Sequence, residues 1–353
     1  MKLPTIEDIG ENQKVVLRLD LDVPIDNGII GDNSRLIKSI PTIRMLLSRG
    51  CKLIIVGHLG RPSFEGNKVN DISRQELTLK PVYVELMSLL ENGEDSISNV
   101  FVEDIKNKQA IFEAVESNQI VFLENIRFLK EETEGKVEFL GHLAEIGNVF
   151  VNDALAVAHR KNASVLLYKM MPVFYGLGFS REIEKMAEFL INPKRPVILV
   201  LGGAKKDKLD NLEILSKKID LILIGGKLPL FMSEYPKYDN VIWAKLDGSQ
   251  MDISKDSIER FIKEIKKAET VILAGSMGMF EQEEHRLGSK IVAETISLCQ
   301  ATKIAAGGDT RASLELMGLV ERFDYICSGG GVALEFLVNE GKLPAWDNSF
   351  VNF

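Results

Sequence analysis

The 353-residue chain has little cysteine, little histidine and no long apolar run. Its three cysteines, Cys51, Cys299 and Cys327, are scattered and match neither a zinc spacing nor a disulfide framework. They read as small core residues, which suits a reducing compartment, so the cytoplasm is the expected location. No stretch of about 18 apolar residues occurs, so no membrane partner is expected. The first residues, Met1-Lys-Leu-Pro-Thr-Ile-Glu-Asp8, hold no apolar signal core. Excess positive charge is also missing. The net charge is −8, which speaks against nucleic acid, since that partner selects a basic surface. No Gly-x-Gly-x-x-Gly follows the first strand of either half, which argues against a nicotinamide dehydrogenase. No catalytic nucleophile and no fixed-period repeat is evident.

What is present is strand–helix alternation. Hydrophobic residues make 45% and charged residues 27% of the chain, an ordinary globular balance, and the length allows two cores. Strands are predicted at Val15–Leu21, Lys52–Val56, Ile120–Leu123 and Val149–Val151, and helices at Ile37–Leu47, Leu79–Leu90 and Val137–Ile146. An amphipathic helix over Ser180–Ile191 ends at Asn192-Pro193, and a new strand, Pro196–Leu201, comes next. Further strands are predicted at Leu221–Ile224, Val271–Leu273, Lys303–Ala305 and Tyr325–Cys327. The fold class is therefore α/β, with two doubly wound parallel-sheet domains joined by a hinge helix. The domains are expected at 1–177 and 195–340, the hinge helix at 178–194 and a tail at 341–353.

The strand ends carry the chemistry. In the first half they deliver Arg18, Asp20 and Asp22; His58 and Arg61; Glu124 and Arg127; and Asp153, His159 and Arg160. Arg35, His58, Arg61, Arg127, His159 and Arg160 form a candidate anion set, because ligands of an open parallel sheet bind at the strand carboxyl ends. Arginine suits a bidentate grip on carboxylate or phosphate. Asp20 and Asp22, at i and i+2, share a strand face and could accept a hydroxyl or orient an arginine. In the second half the strands end in glycine: Gly202-Gly203, Gly225-Gly226, Gly275, Gly307-Gly308 and Gly329–Gly331. Glycine before a helix lets a phosphate approach free N–H groups, though tight turns need glycine too. Lys205 and Lys208 are candidate phosphate partners or a solvated run. Glu281 could accept ribose hydroxyls or be a plain surface glutamate. Asp309 could hold magnesium, and Thr310 could touch a phosphate or cap its helix. A cleft between an anion-gripping half and a phosphate-binding half would suit phosphoryl transfer.

On these residues the chain resembles phosphoglycerate kinases. The matching motifs are Arg18-Leu-Asp20-Leu-Asp22-Val-Pro24, Gly57-His58-Leu-Gly-Arg61-Pro62, Leu123-Glu-Asn-Ile-Arg127-Phe128 and Ala158-His159-Arg160. They continue with Leu201-Gly-Gly-Ala-Lys205, Met277-Gly-Met-Phe280-Glu281, Gly307-Gly-Asp309-Thr310 and Ser328-Gly-Gly-Gly331. The resemblance implies reversible transfer between ATP or ADP, with Mg2+, and the carboxylate of 3-phosphoglycerate, by a monomer. It implies that Asp20, Asp22, Arg35, His58, Arg61, Arg127 and Arg160 bind the acid. Lys205, Lys208, Gly226, Glu281, Gly308, Asp309 and Thr310 would bind the nucleotide, Asp309 holding the metal. Arg35, Lys205, Gly307 and Gly330 would serve the transfer itself, and the tail would pack back on the N-terminal domain.

Several positions depart from the family pattern. Asp22 stands where the family has asparagine, and Lys227 where it has a third glycine. The loop before Lys208 is one residue short, which rotates the residues after it by about 100°. The segment from Phe231 to Asp247 is too short for the further helix and strand the family carries there. Two other readings therefore stay open: a non-catalytic phosphoglycerate-binding relative, and a kinase for a different small acid.

Overall fold

The computed structural model of the protein describes residues 3–91 and 96–346. These residues form two compact units, the first holding those up to 183 together with 343–346, the second 184–342. Each unit is built on a six-stranded parallel sheet.

In the first unit the strands are β1 (Lys14–Leu19), β2 (Lys52–Val56), β3 (Asn99–Val102), β4 (Ile120–Leu123), β5 (Val149–Asp153) and β6 (Val173–Tyr175). Their order is β6-β5-β1-β2-β4-β3, every pairing parallel. The central strands are buried on both faces, so they read as nearly unbroken apolar runs. Two apolar clusters result, one around Leu17, Ile55 and Phe122, the other around Val16, Ile54 and Phe150. Residues one apart on a strand face opposite ways, which explains why neighbours divide between the clusters. The helices α1 (Ser34–Ser48), α2 (Lys80–Leu90), α3 (Lys108–Ser117) and the short α4 (Lys130–Glu134) cover the faces.

The helix α5 (Leu177–Leu190) starts three residues before the predicted one, and the division between the units falls inside it, after Ile183. The predicted helix Val137–Ile146 is broken instead into a 3-10 turn, Val137–Leu140, and a short α-helix from Gly141. Glycine at the junction favours that break.

The second unit holds β7 (Val197–Leu201), β8 (Leu221–Ile224), β9 (Val241–Trp243), β10 (Thr270–Ala274), β11 (Thr302–Ala306) and β12 (Tyr325–Cys327), ordered β9-β8-β7-β10-β11-β12. The short segment 231–247 thus retains an edge strand, and a 3-10 turn, Leu228–Phe231, leads into it. The longer helices of the second unit are α6 (Lys255–Ile265), α7 (Leu287–Leu298), α8 (Gly308–Leu316) and α9 (Gly330–Val338). After α9 the chain returns to the first unit at Leu343. There Ala345 N–H donates to the Ala158 carbonyl at 3.1 Å, and Trp346 is buried against the Tyr175 and Phe179 rings. The rest of the expected tail, 347–353, lies outside the described residues.

Candidate active site

In the first unit the strand order places the ends of β1, β2, β4 and β5 side by side. Arg18, the last residue but one of β1, is fully buried. Its Nε donates to Ser164 Oγ at 3.1 Å and its Nη2 to His58 Nδ1 at 2.8 Å, while Nη1 donates to the Leu19 carbonyl. Ser164 in turn donates its hydroxyl to Glu132 Oε1 at 2.7 Å and its N–H to Oε2 at 2.8 Å. Burial lowers the Arg18 pKa, against the opposing pull of Glu132, Asp20 and Asp22. The carboxylates keep a buried cation from standing alone.

His58, two residues beyond β2, is also buried. Burial, then the guanidinium groups of Arg18, Arg127, Arg160 and Arg35, hold its pKa well below the usual imidazole value. It is therefore a neutral ring. Since a guanidinium can only donate, Nδ1 is the acceptor and Nε2 bears the hydrogen. That Nε2 lies 3.8 Å from Asp22 Oδ2.

Asp22 Oδ1 accepts the Gly60 N–H at 2.8 Å, and Arg127 Nη1 donates to the Gly60 carbonyl at 2.7 Å. One glycine thus ties Asp22 to Arg127. Burial, then Arg18 and Arg160, lower the Arg127 pKa to about 10. Its Nε is buried with no hydrogen-bond partner among the described residues. Arg35, on the first turn of α1, places Nη1 at 2.9 and 3.1 Å from the two oxygens of Asp20. Arg160 is half-buried and acts on both His58 and Arg127.

The structure thus brings Asp20, Asp22, Arg35, His58, Arg127 and Arg160 together. Arg61 differs: it is exposed and makes no side-chain hydrogen bond or ion pair among the described residues. Glu124 is not part of the set either. Its carboxylate accepts the Leu79 and Asn125 N–H groups and the Thr78 hydroxyl, fastening the start of α2. Asp153 serves α5, accepting the Phe179 N–H at 2.8 Å. The sequence pattern does not single out Ser164 and Glu132. An arginine inside an apolar strand is the signal that such partners exist.

In the second unit the helices α8 and α9 begin side by side. A Cβ on Gly307 would lie 3.2 Å from Gly330 N and Cα. Gly307, at φ +102°, is the residue that turns β11 into α8. The first helical carbonyls are used by Arg311 and Ala333. The N–H groups at 308–310 and 330–332 therefore have no acceptor within their helices. Both helix dipoles place partial positive charge there. The Asp309 carboxylate is exposed, 3.9 Å from Lys205 Nζ.

Three residues of the nucleotide set are used differently from the expectation. The Thr310 hydroxyl is buried, donating to the Ala306 carbonyl and accepting the Gly275 N–H, each at 2.8 Å, so it is engaged by backbone and does not cap α8. Gly226, at φ +60°, packs on backbone: a Cβ there would meet Gly203 N at 2.5 Å and Ser276 O at 2.9 Å. Its glycine serves loop-to-loop packing beside the point where the sheet order reverses, between β7 and β10. The Lys208 side chain folds inward, and its Nζ donates to the Gly202 and Ala274 carbonyls at 2.8 and 2.9 Å. Burial lowers its pKa to about 8. Glu281 has an exposed side chain, and its carbonyl accepts from Arg286 Nη2 at 3.3 Å. The side chain of Lys227 is half-buried at the head of the 3-10 turn Leu228–Phe231.

Comparison with known proteins gives a consistent match. The family model described as Phosphoglycerate kinase matches residues 6–241 and 233–342. The two ranges overlap inside the short segment 231–247. A phosphoglycerate kinase of Leptospira biflexa is 31% identical over 394 aligned positions, covering 97% of this chain and 96% of the relative. One of Clostridioides difficile is 32% identical over 406, covering 98% of each. Both alignments exceed the length of this chain, so the relatives carry segments that it lacks. Among solved structures, phosphoglycerate kinase from Pyrococcus horikoshii has a TM-score of 0.75 at 27% identity, covering 97% of each chain. That from Coxiella burnetii has 0.70 at 28%, covering 98% of each.

Proposed function

The chain belongs to the phosphoglycerate kinase family, and on that premise we propose how its residues divide the work. The protein is a phosphotransferase that moves a phosphoryl group reversibly between ATP or ADP and the carboxylate of 3-phosphoglycerate, a step of glycolysis.

The guanidinium cluster around His58 is the seat of 3-phosphoglycerate. The observation that carries this is the crowding of like charge: four arginines act on one buried neutral imidazole. An anion relieves that repulsion and gains charge-assisted hydrogen bonds. The buried Arg127 Nε, without a partner among the described residues, is a donor suited to a ligand oxygen. Arg35 gives one nitrogen to Asp20, which orients it, and offers the others to the carboxylate and the phosphoryl group bound for it. Arg61 reaches the ligand from the exposed loop.

The nucleotide phosphates lie on the N–H groups at 308–310 and 330–332, with Lys205 as the cation and Glu281 toward the ribose. Lys208 and Thr310 support the loops from beneath. Asp309 suits Mg2+, a hard cation that takes one or two carboxylates together with phosphate oxygens. Among the described residues no group of three or more acidic, histidine or cysteine side chains could hold an ion alone, which fits an ion that arrives with the nucleotide. When bound, the ion supplies neutralisation of phosphate charge. Every other role falls to the chain: binding, orienting and donating hydrogen bonds, with no covalent intermediate. The ligand sets lie within one chain, which supports a monomer, and the three cysteines form no disulfide among the described residues, which supports a cytoplasmic setting. The reading of Asp22 as a sign of another acid loses support, because that carboxylate is engaged by Gly60.

Calorimetry tests the assignment. Titrating 3-phosphoglycerate into the protein and into Arg127→Ala should show binding that the substitution weakens at least roughly tenfold. Equal affinity in the two proteins would reject the assignment.

A further inference from the structure

A second chain of contacts lies under the acid site and touches no ligand in the reading above. It runs from the Glu132 carboxylate on α4, through both polar groups of Ser164, to the buried Arg18, and ends on His58 Nδ1. The donors run in one direction. The single Ser164 hydroxyl hydrogen goes to Glu132, which leaves the oxygen lone pairs to accept from Arg18 Nε. Fixed from that side, Arg18 presents Nη2 to His58.

We propose that Glu132 and Ser164, acting through Arg18, are positioning residues that hold His58 in its neutral Nε2–H tautomer, so that Nε2 donates a hydrogen bond to the acid substrate. The proposal rests on the guanidinium cluster being the 3-phosphoglycerate site. Geometry requires the tautomer, because Arg18 cannot accept a hydrogen bond. Burial and the guanidinium groups of Arg18, Arg127, Arg160 and Arg35 all oppose a second proton, while the Asp22 carboxylate stands 3.8 Å from Nε2. A ring kept neutral adds a donor to the site without adding to the charge repulsion there. Were Arg18 free to swing, Nδ1 could take the hydrogen and leave Nε2 an acceptor, which repels a phosphate or carboxylate oxygen. Glu132 and Ser164 are fixed by backbone as well: the Ala163 N–H donates to the Glu132 carbonyl at 2.9 Å. The relay therefore has a rigid anchor.

The test reads the imidazole nitrogens by NMR on uniformly 15N-labelled full-length protein without ligand. The chain has four histidines, and a His58→Gln variant identifies the His58 signals. The wild-type ring should show one protonated nitrogen, Nε2, unchanged between about pH 5.5 and 8. Ser164→Ala should bring mixed tautomers or a titration within that range. It should also raise KM for 3-phosphoglycerate roughly tenfold, with KM for ATP unchanged. Ser164→Thr, which restores the hydroxyl, should recover both. A wild-type ring that carries hydrogen on Nδ1, or titrates near its ordinary value, overturns the proposal without any variant. So does a Ser164→Ala or Glu132→Gln protein that melts earlier yet keeps the wild-type ring signals, for that is a purely structural role. A wild-type protein that fails to bind 3-phosphoglycerate would overturn the pocket reading, a separate failure, because the ring spectrum is taken without ligand.

Discussion

The ammonium of Lys208 lies 2.8 Å from the carbonyl oxygen of Gly202, the first residue after β7. A second bond, to Ala274 on β10, is 2.9 Å long. The lysine therefore bridges the two strands that flank the sheet's reversal point, β7 and β10, beneath the loops that carry Lys205 and Gly275. Two lysines three residues apart thus do different things: Lys205 is exposed beside Asp309, and Lys208 is used up by backbone.

The two should separate experimentally. Lys208→Met removes the donor to two carbonyls and should cost about 1–3 kcal/mol of stability. Lys205→Ala should leave stability unchanged and raise KM for ATP or lower kcat at least tenfold. The folded Lys208 titrates near 8 and the unfolded lysine near 10.4, so between those values the unfolded chain binds more protons. Wild-type stability should therefore rise relative to Lys208→Met as pH goes from 8 to 10, by up to about 3 kcal/mol. Urea melts of both proteins across that range measure it. A flat difference would mean the amine is not where the structure has it.

Asp153 offers the opposite sign. Burial is the main cause that raises its pKa to about 6, against the Thr42 hydroxyl and the Phe179 and Gly178 N–H groups that favour the charged form. The folded pKa lies above the unfolded carboxylate value near 3.9, so the folded protein binds the extra proton between them. Stability from this group falls as pH rises from about 4 to 6 and stays lower above. Asp153→Asn keeps an oxygen to accept the Phe179 N–H and carries no charge. It should stabilise the protein by about 1–3 kcal/mol at pH 7 and by nothing at pH 4. Equal stability gains at both values would show that packing, not charge, is responsible.

How far the sequence can be read depends on where each element sits. β2, β4, β8 and β12 occur at the predicted bounds because their apolar runs stop sharply at Gly, Glu or Ser. Three strands of the two six-stranded sheets escape the sequence pattern: Asn99–Val102, Val173–Tyr175 and Val241–Trp243. All are sheet edges of three or four residues and are mostly half-buried, so neither an apolar run nor an alternation marks them. The convergence of Asp20, Arg35, His58, Arg127 and Arg160 is legible, since parallel strands put their ends together. The partnership of Arg18 with Ser164, 146 positions away, is not, because no local pattern encodes it. Lys208 is illegible for another reason. Its direction comes from the 3-10 turn Lys206–Leu209, and a lysine run looks the same solvated or folded inward.

Asp22 is the departure whose effect is open to a simple measurement. Its Oδ1 fixes Gly60, and through Gly60 the carbonyl that Arg127 grips. Asparagine can accept the same N–H, so Asp22→Asn keeps that tie and removes a negative charge beside the acid site. A unit charge a few ångströms from an anionic ligand costs about 1 kcal/mol in a well-solvated site. KM for 3-phosphoglycerate should therefore fall roughly fivefold in Asp22→Asn and rise in Asp22→Ala, where Gly60 is released. Steady-state kinetics with 3-phosphoglycerate varied at saturating ATP decides. A rise in both variants would show that the charge itself contributes to the site.

Gly307 tests the nucleotide end without touching a charge. Its φ of +102° is strained for any side chain, and a Cβ would press on the backbone of Gly330 at 3.2 Å. Gly307→Ala can be accommodated only by parting the starts of α8 and α9, which moves the N–H groups at 308–310 away from those at 330–332. Stability should fall by about 1–3 kcal/mol from the strain. If those N–H groups share the phosphate load, KM for ATP should rise and kcat should fall, together at least tenfold in kcat/KM, because oriented donors lose value steeply with misplacement. Calorimetric affinity for 3-phosphoglycerate should stay within about twofold, since that site is built wholly in the first unit. Thermal melting checks that the variant is folded at the assay temperature. Unchanged ATP kinetics in a folded Gly307→Ala protein would mean that the paired helix starts are a packing solution and that the phosphates are held elsewhere, with Lys205 the residue to examine next.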